Sequence, residues 1–99
     1  MPNTSPSADA PPAAQDDAAP RRLGYVHALE RVQIVASWYT RQISQERDAA
    51  SPDQDRIDEL MAGLRQCITD QRSLPSADPA SVARISADYA ALYRDLGSR

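Results

Sequence analysis

Two dipeptides, Ser51-Pro52 and Asp78-Pro79, are typical of helix starts and divide this chain into three segments. The Ser or Asp side chain accepts hydrogen bonds from unpaired N–H groups at a helix start, and proline fits the first helical position because it has no N–H to leave unpaired. Gln54 completes a capping box with Ser51. We therefore expect Ser51 and Asp78 to be the N-caps of two helices.

Apolar residues recur every three or four positions within each segment, which is the spacing of an amphipathic helix. The pattern predicts helices over residues 22–48, 52–73 and 79–96, and no β-hairpin signal separates them. Short connections favour antiparallel neighbours. The predicted fold of residues 21–99 is therefore all-α, an up-down-up antiparallel three-helix bundle. The core stripe of its first helix consists of Tyr25, Leu29, Val32, Ala36, Tyr39 and Ile43.

The second helix carries a glycine, Gly63, in its middle. Glycine in a helix interior costs about 1 kcal/mol relative to alanine. A close approach of a neighbouring helix would account for this residue.

Residues 1–20 differ in composition from the rest of the chain. They contain five of the eight prolines, no basic residue, and three aspartates. Such a stretch has too little apolar surface to offset its ordering entropy, so it is predicted to be a disordered leader. Of the 14 acidic residues, 11 remain beyond it, against 11 arginines and no lysine. The folded part is therefore close to neutral.

The composition also bears on location. No stretch approaches the roughly 18 apolar residues of a membrane span, and the first 20 residues lack the basic and apolar regions of a secretion signal. A single cysteine, Cys67, permits no intramolecular disulfide. We expect a cytoplasmic protein, and the heavy use of Ala, Arg and Asp suggests a bacterial genome.

The first helix has apolar residues on a second side. At about 100° per residue, a group of four residues falls opposite the core stripe, and two arginines flank it. The resulting candidate interface consists of Leu23, His27, Arg31, Ile34, Trp38 and Arg41. Aromatic and arginine side chains are the usual anchors of protein interfaces, and Arg41, one turn after Trp38, could lie over the indole.

This face predicts a protein–protein interaction module. A two-fold homodimer is the commonest arrangement, and a helper subunit that binds a different protein would need the same surface. Two simpler interpretations stay open. Single exposed apolar residues are normal, or the first helix sits centrally and the other two wrap further round it.

Enzymatic and metal sites are not predicted. Zinc takes about four ligands, mainly Cys and His, whereas this chain has one of each, Cys67 and His27. Cys67 borders an apolar stripe and is expected to pack as a small hydrophobe. No glycine-rich phosphate loop or nucleophile elbow is present. We therefore predict no catalytic residue, no cofactor and no metal.

Two alternatives to a protein-binding module remain. Arg31, Trp38 and Arg41 would suit nucleic acid, although the neutral folded part and acidic leader oppose the electrostatic attraction that dominates such binding. A small helical enzyme acting on an anionic substrate would need Arg47 to join Arg65 or Arg72 in a polar pocket, and those arginines can equally lie at the bundle edge.

Overall fold

The computed structural model describes the backbone of residues 5–98 and the side chains of residues 18–98. It contains three α-helices, α1 (Ser5–Asp48), α2 (Gln54–Ser73) and α3 (Pro79–Gly97), with a short 3-10 helix (Leu74–Ser76) after α2. The described residues form no strand, so the all-α prediction is confirmed. None of the helices, within that part of the chain, has a stretch long and apolar enough to cross a bilayer.

The first helix is longer than its spacing predicted. It begins at Ser5 and not near residue 22, and it runs through a stretch rich in alanine, the strongest helix former. The predicted disordered leader spans residues 1–20, and its first four residues lie outside the described backbone. Up to residue 17 its side chains also lie outside the described residues.

The N-cap of α2 differs from the predicted one. Asp53, not Ser51, is the N-cap: its side chain accepts a hydrogen bond from the Arg56 N–H at 3.2 Å. The Asp53 N–H in turn donates to Glu46 Oε1 at 2.9 Å. This bond ties Asp53 to the end of α1, and Ser51 and Pro52 lie in the connection before the helix.

The cap of α3 is confirmed. Asp78 has an extended backbone and its carboxylate accepts a hydrogen bond from the Ser81 N–H at 2.7 Å, with Pro79 at the first position of the helix. Hydrogen bonds from Ser81, chiefly from its backbone and next from its side chain, lower the pKa of Asp78. This cap therefore contributes to the stability of the helix start while Asp78 is ionised.

The long helix α1 is the centre of the molecule, and α2 and α3 each pack along it. Pairs of residues in contact show the directions of α2 and α3 relative to α1. Tyr39 meets Gly63, and Glu46 meets Asp53, so α2 runs antiparallel to α1. Arg31 meets Ser86, and the groove beside them is lined by residues 20–31 and 79–87, so α3 runs parallel to α1. This order fits the predicted up-down-up bundle.

The core lies where the three helices meet. Its main cluster draws buried residues from α1, α2, α3 and the 3-10 helix, namely Ala28, Val32, Val35, Cys67, Leu74, Val82, Tyr89 and Leu96. On α1 the buried side is turned relative to the predicted stripe. Ala28 and Val35 are fully buried, whereas Tyr25, Leu29 and Tyr39 are half-buried. Because α1 contacts two helices, its covered sector is displaced towards Val35.

Candidate interaction surface on α1

One side of α1 is covered by neither α2 nor α3. Leu23, Val26 and Ile34 on this side are exposed by 57%, 45% and 47%. At about 100° per residue they fall within one sector of the helix, and exposed Arg41 lies in the same sector. We call these four residues the open side of α1. It carries three large aliphatic side chains in contact with solvent.

Trp38 does not belong to the open side. The indole is half-buried and packs against the core cluster, and its ring meets that of Tyr39 edge to face, with centroids 5.2 Å apart and planes at 82°. The predicted outward position of Trp38 is thus corrected, because the buried sector of α1 extends past Val35 towards it. No cation–π contact joins Arg41 to this ring in the described part of the chain.

Arg31 and His27 belong to a different surface, which faces α3. Arg31 Nη1 donates to the Ser86 carbonyl oxygen at 3.2 Å and to Ser86 Oγ at 2.7 Å. His27 is exposed and lines the same depression. The six residues of the predicted interface therefore separate: Leu23, Ile34 and Arg41 on the open side, Arg31 and His27 beside α3, and Trp38 against the core.

The depression beside α3 is a groove of about 740 Å³. One wall is the part of α1 from Pro20 to Arg31, and the other runs from the 3-10 helix into the first turns of α3. We call it the α1–α3 groove. Its α1 wall carries Arg21, Arg22, His27 and Arg31, and its remaining lining is mostly apolar.

A partly buried polar contact joins α2 to α3. The Tyr89 hydroxyl donates to Asp70 Oδ2 at 2.5 Å. Burial, and next this bond to the carboxylate, raise the pKa of Tyr89 beyond its usual range. Cys67 is 1% exposed, and its pKa is raised chiefly by burial. Its predicted role as a small hydrophobe is confirmed, and a raised pKa keeps the thiol protonated and weakly nucleophilic.

Sequence patterns did not predict two residues of these surfaces. Val26 stands one turn after Leu23, so its helical spacing could have placed it on the open side. Ser86 carried no such signal, because its bond to Arg31 joins positions 55 residues apart.

The acidic residues near the start of α2 lie on the surface. Asp55, Asp58 and Glu59 are exposed, as a solvated face requires. Within the described residues, no three His, Cys, Asp or Glu side chains come together in an arrangement that could hold a metal ion.

Comparisons with other proteins add no relative to this picture. No protein-family model matches the chain, and no curated protein or solved structure matches it.

Proposed function

We propose that this chain is a non-enzymatic, cytoplasmic protein–protein interaction module that pairs with a second copy through the open side of α1. The supporting observation is that Leu23, Val26 and Ile34 are exposed on the side of α1 that α2 and α3 leave uncovered. Large aliphatic side chains gathered on one side of a helix are typical of a contact surface.

Antiparallel pairing of two α1 helices suits this surface. In a two-fold dimer each contact occurs twice, so Leu23 of one copy can pack beside Ile34 of the other, and the reverse. Arg41, further along the same side, would lie at the edge of the contact, where charged side chains set register and partner choice. This arrangement needs no movement of α2 or α3.

The apolar surface also indicates how strong the dimer can be. Fully burying an aliphatic side chain contributes about 1.5–3 kcal/mol, and the three residues are already about half-buried. Six such side chains in a dimer contribute about 5–9 kcal/mol, from which the loss of translational and rotational freedom is subtracted. With the upper figure of about 9 kcal/mol and the low end of that loss, about 4 kcal/mol, the net gain is about 5 kcal/mol, so we expect a dissociation constant of about 0.2 mM.

Sedimentation equilibrium of the full chain tests the proposal over a concentration series up to about 300 µM. A dimer has twice the 10.8 kDa mass of the chain. We expect Ile34→Asp to shift the mass to that of the monomer, because the carboxylate would lose its hydration in the contact. The matched control is Ile68→Asp on α2, an isoleucine of similar exposure, which should leave the dimer intact.

Two results would contradict the proposal. One is a wild-type chain that stays monomeric throughout the series. The other is an equal loss of mass in the Ile34 and Ile68 variants, which would indicate general destabilisation. Far-UV circular dichroism of both variants shows whether each is folded, so these cases can be separated.

Nucleic-acid binding has weaker support as an alternative. It relied on Arg31, Trp38 and Arg41 as one basic and aromatic face, and in the structure Trp38 packs against the core while Arg31 hydrogen-bonds Ser86. The enzyme alternative relied on three arginines of α1 and α2. Arg47, Arg65 and Arg72 are all exposed and line neither the α1–α3 groove nor the open side.

A further inference from the structure

The α1–α3 groove is a second surface, separate from the open side of α1. Its α1 wall runs from Pro20 to Arg31, which is about 17 Å, or three helical turns. Its other wall is the start of α3, which is joined to α1 by the bonds from Arg31 to Ser86. At this end of the molecule α2 has already ended at Ser73, so two parallel helices have an unfilled space between them.

The floor of the groove is apolar. Leu74 and Val82 are buried beneath it, Tyr25 is half-buried at its side, and Pro79 and Ala83 are exposed along its α3 wall. Proline has no N–H to donate, and alanine offers only a methyl group. A partner therefore gains from this floor by placing apolar side chains on it.

The edge of the groove is basic. Arg21, Arg22, Arg31 and His27 line it, and none of the described residues that line it is an Asp or Glu. The hydrogen bonds of Arg31 go to a hydroxyl and a carbonyl oxygen of Ser86, so its positive charge is not neutralised by them. Three guanidinium groups beside an apolar floor complement a partner that is acidic on one face and apolar on the other.

We propose that the α1–α3 groove binds an acidic amphipathic helix of another protein. A helix of about three turns matches the length of the groove, with apolar residues at i, i+3, i+4 and i+7 on the floor and carboxylates along the arginines, where bidentate pairs form. A nucleic acid would match the arginines and leave the apolar floor unused. This inference does not depend on self-association, which uses a different side of α1.

Fluorescence anisotropy with two labelled model helices tests the inference on the full chain. One peptide has leucines on one face and glutamates on the other, and its counterpart has lysine in place of each glutamate. We expect the glutamate peptide to bind and the lysine peptide to bind at least about tenfold more weakly. Added salt should weaken the glutamate complex, because exposed charge pairs are screened.

Charge reversal in the groove supplies the decisive variant. The double variant Arg21→Glu/Arg22→Glu should prefer the lysine peptide, whereas Arg47→Glu/Arg65→Glu, which makes the same charge change away from the groove, should keep the wild-type preference. Ala83→Glu, which adds a carboxylate to the α3 wall, should abolish binding of the glutamate peptide. All of the substituted residues are on the surface, so circular dichroism should be unchanged.

Four results of the peptide measurements would overturn the inference. They are no binding of the glutamate peptide, equal binding of both peptides, an unchanged preference in Arg21→Glu/Arg22→Glu, and displacement of the bound peptide by a single-stranded oligonucleotide. A native mass that falls in the same double variant would show that a second copy fills the groove, which also contradicts it. Ile34→Asp should bind the glutamate peptide normally, so failure of the proposed dimer is distinguishable from failure of this site.

Discussion

Replacing Gly63 with alanine tests how α2 packs against α1. A Cβ at position 63 would lie 2.5 Å from Cε1 of Tyr39 and 2.7 Å from its hydroxyl oxygen, whereas ordinary van der Waals contact begins at 3.4 Å. The tyrosine ring would therefore have to retreat by about 1 Å. That ring also packs against the indole of Trp38, so its movement would disturb a second aromatic group.

The expected cost follows from two opposing contributions. Overpacking a contact of this kind costs about 1–3 kcal/mol, and removing a glycine from a helix interior restores about 1 kcal/mol. Gly24 lies in α1, where a Cβ added to it would meet nothing within 4 Å. Gly24→Ala should therefore gain stability from the removal of a helix glycine and have no overpacking cost. The free energy of unfolding of the two variants should therefore differ by about 1–3 kcal/mol, with Gly63→Ala the less stable.

Urea unfolding followed by far-UV circular dichroism and by Trp38 fluorescence measures both variants. The two probes should give one transition if the bundle unfolds cooperatively. If Gly63→Ala stabilises the chain as much as Gly24→Ala does, the close approach of Tyr39 to α2 is refuted. A double-mutant cycle with Tyr39→Ala gives the same contact as a coupling free energy.

Two pH-dependent predictions follow from the hydrogen bonds of α3. Because its pKa is raised, folded Tyr89 keeps a proton that the unfolded chain releases above about pH 10, so the free energy of unfolding should fall there by about 1.4 kcal/mol per pH unit. The midpoint of urea unfolding should fall less steeply with pH in Tyr89→Phe than in the wild type. An equally shallow fall in Tyr93→Phe would contradict this prediction. The pKa of Asp78 is lowered, so its contribution to the free energy of unfolding is present at neutral pH and is lost as the pH falls through the folded-state pKa. Asp78→Asn keeps a cap that does not titrate, so this variant should lose less stability than the wild type in an acid titration. An equal loss in the two proteins would refute the prediction.

Local chemistry made several elements predictable. The Asp78 cap and Pro79 start depend only on neighbouring residues, and both are as expected. The cap of α2 was misassigned, because Asp53 is held by Glu46 at the end of the preceding helix. That contact spans the turn between two helices, and a capping pattern within one segment does not contain it.

The candidate site was predictable only in part. Helical spacing placed Leu23 and Ile34 on an exposed side of α1, but it grouped them with Arg31, His27 and Trp38. Periodicity gives the direction of a side chain around one helix. It does not give the width of the sector that two neighbouring helices cover, and that width placed Trp38 against the core and Arg31 beside Ser86.

The amino-acid sequence by itself determined three helices and an all-α fold, and it marked Gly63 as a position for a close contact, because helix propensity, capping and apolar spacing act over a few residues. The tertiary structure alone decided which sides of α1 stay uncovered and brought three arginines to one apolar groove. Those features depend on contacts between residues far apart in the chain, such as Arg31 and Ser86, whose geometry is set only when the helices pack.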